Sequence, residues 1–143
     1  MTSPSIRGVT TLLEVFDMPV SLAFYRALGC NVVAHWGETE NEAEWDWVRL
    51  RLGGAELMLN TAHERDKRPT SQDAGRVKGH ADTELFFACV DLDAVSESLR
   101  LNGITTPEPE TTFYGTRRFC LRDPDGFLIW FQAPVSGDSL SKT

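Results

Sequence analysis

FYGTRRFCLRDPDGFLIWFQ, residues 113–132, reads as a β-hairpin. Arg117–Arg122 carries Phe, Cys and Leu, a strand composition. Asp123-Pro124-Asp125-Gly126 supplies the turn: Pro124 presets φ at the second position and Gly126 accepts a positive φ. Phe127–Gln132 is apolar almost throughout, which predicts a strand buried on both faces or lining a pocket. Tyr114-Gly115 breaks the chain ahead of the hairpin.

Working outward, the chain before the hairpin alternates short strands with helices. Gly8–Phe16 is an apolar-rich strand. A helix starts at Asp17 or Met18 with Pro19 in its first turn, places Leu22, Phe24, Tyr25 and Leu28 at helical spacing, and stops at Gly29. Cys30–Trp36 is a second strand and Gly37–Glu42 an acidic loop. Glu44–Leu52 is a third strand, with Val48, Leu50 and Leu52 on one face and Trp45, Trp47, Arg49 and Arg51 on the other. Gly53-Gly54 turns into a fourth strand, Ala55–Asn60. Thr61–Asp82 is polar, a linker or a mobile lid. Glu84–Val90 is a strand, Leu92–Asn102 a helix capped by Asp91 and stopped by Gly103, and Ile104–Thr112 an edge strand. Residues 134–143 form a polar, frayed tail.

The second half repeats the first. Asp17 and Asp91 are 74 apart (91 − 17), as are Gly29 and Gly103 (103 − 29). Matched strand–helix–Gly order at this period reads as duplication. The expected fold class is α+β: two tandem βαβββ modules, about 8–61 and 83–133 with the polar linker 62–82 between them. They form a curved mixed sheet with helices outside and a concave cleft, within a single domain.

Composition bounds the function. The chain has 143 residues, is 41% hydrophobic and carries a formal charge of −7, which argues for one globular unit and against nucleic acid as a partner. Cys30, Cys89 and Cys120, odd in number and without a CxxC pair, read as buried thiols in a reducing compartment. No signal segment or membrane-length apolar run is evident, so the expected location is the cytoplasm. No nucleophile has a companion at readable spacing, so no catalytic residue is assigned. His35, His63 and His80 read as surface or loop residues.

LEVFDMPVSLAFY at 13–25, GAELML at 54–59 and the YG…RDPDG run at 114–126 together resemble the vicinal oxygen chelate superfamily. This group holds glyoxalase I, extradiol dioxygenases, and fosfomycin and bleomycin resistance proteins. The resemblance spans roughly residues 8–133. It implies paired βαβββ modules, usually in a homodimer. In the enzymes of this group it also implies a divalent metal held by His, Gln or Glu from four strands. The matching positions here are Thr10, Glu56, Glu84 and Trp130. An indole N–H only donates, and a neutral Thr hydroxyl is a poor ligand for Zn²⁺, Ni²⁺ or Fe²⁺. No metal or other cofactor is therefore expected.

The expected site is a Trp-lined cleft made by Trp45, Trp47, Arg49, Glu56, Met58, Glu84, Phe86, Tyr114 and Trp130. Its aromatic faces would stack a flat ligand, and its acids would hold a cationic group. The closest character is that of the bleomycin resistance type, which sequesters a bulky ligand at a dimer interface. The alternative is a metal-dependent lyase, isomerase or dioxygenase of the same superfamily. A third reading keeps Trp45 and Trp47 as core or interface residues, with Glu56 paired to Arg49 across neighbouring strands. Arg117-Arg118 reads as a solvated strand-edge pair.

Overall fold

The computed structural model describes residues 4–37 and 39–135. The expected frayed tail lies, from Ser136 on, outside the described residues. Strand β1 (Thr11–Val15) leads into helix α1 (Met18–Leu28), then β2 (Asn31–Trp36), β3 (Trp47–Leu52) and β4 (Ala55–Thr61). A short helix α2 (Ala74–Gly79) precedes β5 (Glu84–Ala88), α3 (Leu92–Leu101), β6 (Glu110–Thr111), β7 (Thr116–Arg122) and β8 (Leu128–Pro134). The strands pair into two four-stranded mixed sheets of identical order, β1-β4-β3-β2 and β5-β8-β7-β6. The fold is α+β, and the same strand–helix–strand–strand–strand sequence occurs twice.

Local chemistry explains each boundary. Asp17 is extended and its carboxylate accepts from the Val20 N–H, while Pro19 sits in the first turn, where its missing N–H costs nothing. Gly29 ends α1 in the left-handed region at φ 110°, donating its N–H to Arg26. Asp91 caps α3 in the same way, through the Ala94 N–H.

Inward-facing side chains fill the space between sheets and helices. Leu13 and Val15 of β1, Val48 and Leu50 of β3, and Leu57 and Leu59 of β4 are buried against Leu22 and Tyr25 of α1. In the second half Phe119, Ile129 and Phe131 pack with Leu99 of α3. Each such side chain contributes about 1.5–3 kcal/mol on burial. The expected edge strand over Ile104–Thr112 shrinks to Glu110–Thr111, because Pro107 cannot donate to a ladder.

The segment expected as a linker or mobile lid is instead a docked strap. It carries two 3₁₀ turns and α2, and it lies against the Asp123–Gly126 turn of the second half. Arg76 donates to the Asp125 carboxylate (2.9 Å) and to the Glu14 carbonyl (2.7 Å). Gln72 donates to the Pro124 carbonyl at 3.0 Å, and His80 Nδ1 to the Asp125 carbonyl at 2.7 Å. The same turn grips the first half: the Asp125 carboxylate accepts from the Phe16 N–H and the Ser21 hydroxyl, and Tyr25 Oη donates to Asp123 at 2.6 Å. Burial pushes the Asp123 carboxyl above its ordinary range. The Tyr25 phenol is pushed far above its own, so it remains a donor.

His63 lies in the loop after β4 as expected, but His35 and His80 are packed against aromatic rings. His35 stacks on Trp45 with ring centroids 3.9 Å apart, and its Nδ1 is buried without a partner. His80 stacks on Phe127 at 4.0 Å, and His63 meets Phe16 edge-on. All three cysteines are free; Cys30 is buried, but Cys89 and Cys120 are only half-buried.

Candidate functional site

The core takes most inward positions, so the expected site residues can share only the outward positions of each sheet. Register fixes them. Across the first sheet one row runs Leu12–Met58–Arg49–Ala34 and the next Glu14–Asn60–Trp47–Trp36. Across the second, one row runs Phe86–Trp130–Cys120, with Glu84–Leu128–Arg122 on one side and Gln132–Arg118–Glu110 on the other.

Two corrections to the expected face follow. Trp45 does not share it: a 3₁₀ turn at Glu42–Glu44 delays β3 until Trp47, and Trp45 is 6% exposed, in the core against His35. Its indole N–H donates to the Thr39 carbonyl. Trp36 does share it, 72% exposed and directly across from Trp47. A bulge between Val32 and Ala34 shifts the alternation of β2 and turns Trp36 outward.

On the first face the Glu56 carboxylate accepts from Arg49 Nη1 (3.1 Å), Arg51 Nε (3.1 Å) and Arg51 Nη2 (2.8 Å). These bonds, Arg51's first, hold the Glu56 carboxyl below its ordinary range. The Arg49 guanidinium lies 5.9 Å from the Trp47 ring, with Nη2 facing Met58 Sδ at 3.7 Å. On the second face Trp130 stacks parallel to Phe86, centroids 5.5 Å apart, and its N–H donates to Glu84 at 2.9 Å. Arg118 covers the Trp130 ring at 4.6 Å, pairs with Glu110 at 2.6 Å and reaches the Tyr114 hydroxyl at 3.4 Å. Arg118 is thus part of the aromatic face and not merely a solvated edge residue; Arg117 pairs with Asp93 instead. Tyr114 is 54% exposed beside it.

The expected residues therefore form two clusters: Trp47, Arg49, Glu56 and Met58 on one sheet, and Glu84, Phe86, Tyr114 and Trp130 on the other. No hydrogen bond or ring contact among the described residues joins them. Glu56, Glu84 and Phe86 do border one shared cleft of ≈ 890 Å³ between the two halves, whose depth is apolar: Leu57, Leu85, Phe87 and Phe131.

The sequence pattern of the Glyoxalase/Bleomycin resistance protein/Dioxygenase superfamily matches residues 9–131. The chain belongs to this superfamily. Among curated proteins none matches the chain in sequence. Solved structures do match. A glyoxalase/bleomycin resistance protein from Catenulispora acidiphila is 25% identical over 87% of this chain and 96% of its own, with a TM-score of 0.60. A bleomycin-binding protein complexed with bleomycin is 20% identical over 90% and 98%, with a TM-score of 0.64. An antibiotic-binding protein from a Streptomyces species is 21% identical over 92% and 99%, with a TM-score of 0.61.

Members of the superfamily that hold a metal do so with donors, and the equivalent positions here do not fit one. Glu56 is committed to two guanidinium groups and Glu84 to an indole N–H. Trp130 offers no lone pair. Among the described residues no three His, Cys, Asp or Glu side chains converge. Register adds a further mismatch: β1 pairs with β4 at an offset of 46 (57 − 11), whereas β5 pairs with β8 at 44 (129 − 85). Glu56 and Trp130, 74 apart in sequence, thus stand at different levels of their sheets.

Proposed function

We propose that this chain is a small-molecule binding protein that sequesters an aromatic ligand against its tryptophan faces without metal and without chemistry. The observation that carries the reading is the Phe86–Trp130–Arg118 stack on the outer face of a sheet, with Phe86 45% exposed at its end and the indole N–H fixed on Glu84. Stacking on a prepositioned ring avoids ordering a loose side chain, so little binding energy is lost to immobilisation. The bleomycin-binding and antibiotic-binding relatives support the same reading. The protein acts as a homodimer in the reducing cytoplasm, one copy's Trp47 face set against the other copy's Trp130 face.

Intrinsic tryptophan fluorescence, titrated with a library of aromatic compounds, tests this. A ligand should quench emission in the wild type, and Trp47→Ala or Trp130→Ala should abolish the response. If neither substitution affects any ligand found, the faces are not the site. Light scattering at micromolar concentration should give twice the 16.0 kDa chain mass. A stoichiometric transition metal in purified protein would instead favour the lyase, isomerase or dioxygenase reading.

A further inference from the structure

Within that binding reading, the side chains around the two indoles point to the charge of the ligand. We propose that the site selects a planar aromatic compound bearing an anionic oxygen pair, a carboxylate or sulfonate, over an aromatic cation of the same size. A cation needs an uncommitted carboxylate beside the ring, and the acids here are largely spoken for. Glu56 accepts three bonds from Arg49 and Arg51. Glu110 is held by Arg118, and one oxygen of Glu84 by Trp130.

The donors, by contrast, are in surplus next to the rings. Arg49 Nη2 meets only the Met58 thioether, a weak acceptor. Arg118 lies over Trp130 with Nε on Glu110 and Nη1 only loosely on Tyr114, leaving Nη2 without an acceptor among the described residues. Both halves therefore lay a guanidinium over an indole, and its uncommitted N–H groups can meet the anionic oxygens of a ligand whose ring packs on the exposed aromatic next to that pair, Trp36 in the first half and Phe86 in the second. The charges that oppose this are Glu14, exposed beyond Asn60, the open oxygen of Glu84 and the second oxygen of Glu110. The overall −7 acts weakly at this range, since exposed charges beyond about 8 Å are screened at physiological salt.

A matched pair of probes tests the proposal on the full chain: naphthalene-2-carboxylate and naphthalene-2-methylammonium, followed by tryptophan quenching. The carboxylate should bind about tenfold more tightly or better, the scale of one charge-assisted hydrogen bond. Glu56→Gln, which releases Arg49 and Arg51, should tighten the carboxylate further, and Arg118→Gln should remove most of the preference. Both positions are at the surface, and circular dichroism would verify that the variants fold. If the ammonium binds as well or better while Trp130→Ala still abolishes binding, the charge assignment is wrong and the binding reading stands. If neither probe binds, or if Trp130→Ala leaves both unchanged, the charge assignment falls together with the binding reading.

Discussion

Substituting Gly126 by Ala tests whether the strap is docked. Gly126 sits at φ +92°, and a Cβ placed there would lie 2.2 Å from the Val77 carbonyl oxygen and 2.9 Å from Val77 Cγ1. The left-handed φ alone costs an Ala about 1 kcal/mol. Ordinary contact begins at 3.4 Å, so the strap backbone must retreat by 1.2 Å (3.4 − 2.2). That retreat stretches the bonds from Arg76 and His80 to Asp125 and from Gln72 to Pro124. Each is worth about 1 kcal/mol, more where a charge is involved. The expected loss is about 3–5 kcal/mol. Gly103→Ala is the matched control: φ is +86° but nothing lies within 4 Å of the added Cβ. It should cost about 1 kcal/mol or less, partly offset by a stiffer unfolded chain. With a urea m-value of about 1–3 kcal/mol/M, the Gly126 variant should unfold roughly 2 M earlier by far-ultraviolet circular dichroism, the Gly103 variant well under 1 M earlier. Equal midpoints for the two variants would show that the strap moves away freely, and the docked description would fail.

Asp125→Ala should cost about 3–5 kcal/mol, because it strands Arg76, the Ser21 hydroxyl and the Phe16 N–H around a buried gap; a urea midpoint within 0.5 M of wild type (about 1 kcal/mol) would contradict this. Asp123 has the opposite sign to a salt-bridged acid. Burial raises its folded pKa above the unfolded value of about 3.9, so its contribution to stability is present below that value and lost as pH rises through the folded one. The stability of wild type relative to Asp123→Asn should therefore be greater at pH 4 than at pH 7 in urea titrations, and the reverse order would refute the burial argument. The Cys30 thiol, buried and pushed up to about 12, should resist a thiol reagent at pH 8 until urea unfolds the chain, while Cys89 and Cys120 label in the native state; mass mapping of labelled peptides distinguishes them.

The parts of the fold that the sequence reveals are those governed by a single local rule. The 113–132 hairpin appears as β7 and β8 because alternation and a Pro-Asp-Gly turn act within a few residues. Helix α1 is legible because Asp17, Pro19 and Gly29 mark its ends. The repeat shows through the spacing of those same residues. What escapes is set by tertiary contacts and register, not by a local composition rule. The bulge at Val32/Ala34 reverses which side of β2 faces outward, and no turn residue announces it. The 3₁₀ turn that sends Trp45 inward depends on the Asn41 cap and on the stack with His35. The strap looks like a linker because its docking groups, Arg76, Gln72 and His80, find partners some fifty residues away in the Asp123–Gly126 turn. The Arg49–Glu56 pair is legible as one reading of the sequence, but only register shows that Arg51 lies directly opposite Glu56 and Arg49 diagonal to it.

The two faces also carry a cost that favours a binding role over a purely solvated one. Trp36, Phe86 and Tyr114 are exposed, and Leu12 on the edge strand β1 is 45% exposed. Leaving that apolar area in water forgoes roughly 25 cal/mol per Å² that burial would return. Isolated exposed apolar residues are ordinary, but Trp36 and Phe86 each stand in register with a further indole that has a guanidinium over it. The first half builds its Arg-on-Trp pair from adjacent strand positions, Arg49 and Trp47, whereas the second builds it across strands, Arg118 and Trp130. With β1–β4 and β5–β8 in registers that differ by two (46 − 44), duplication of sequence alone does not place these pairs alike. The same Arg-on-Trp pairing is reached by two local routes, and the proposed binding surface would draw on both.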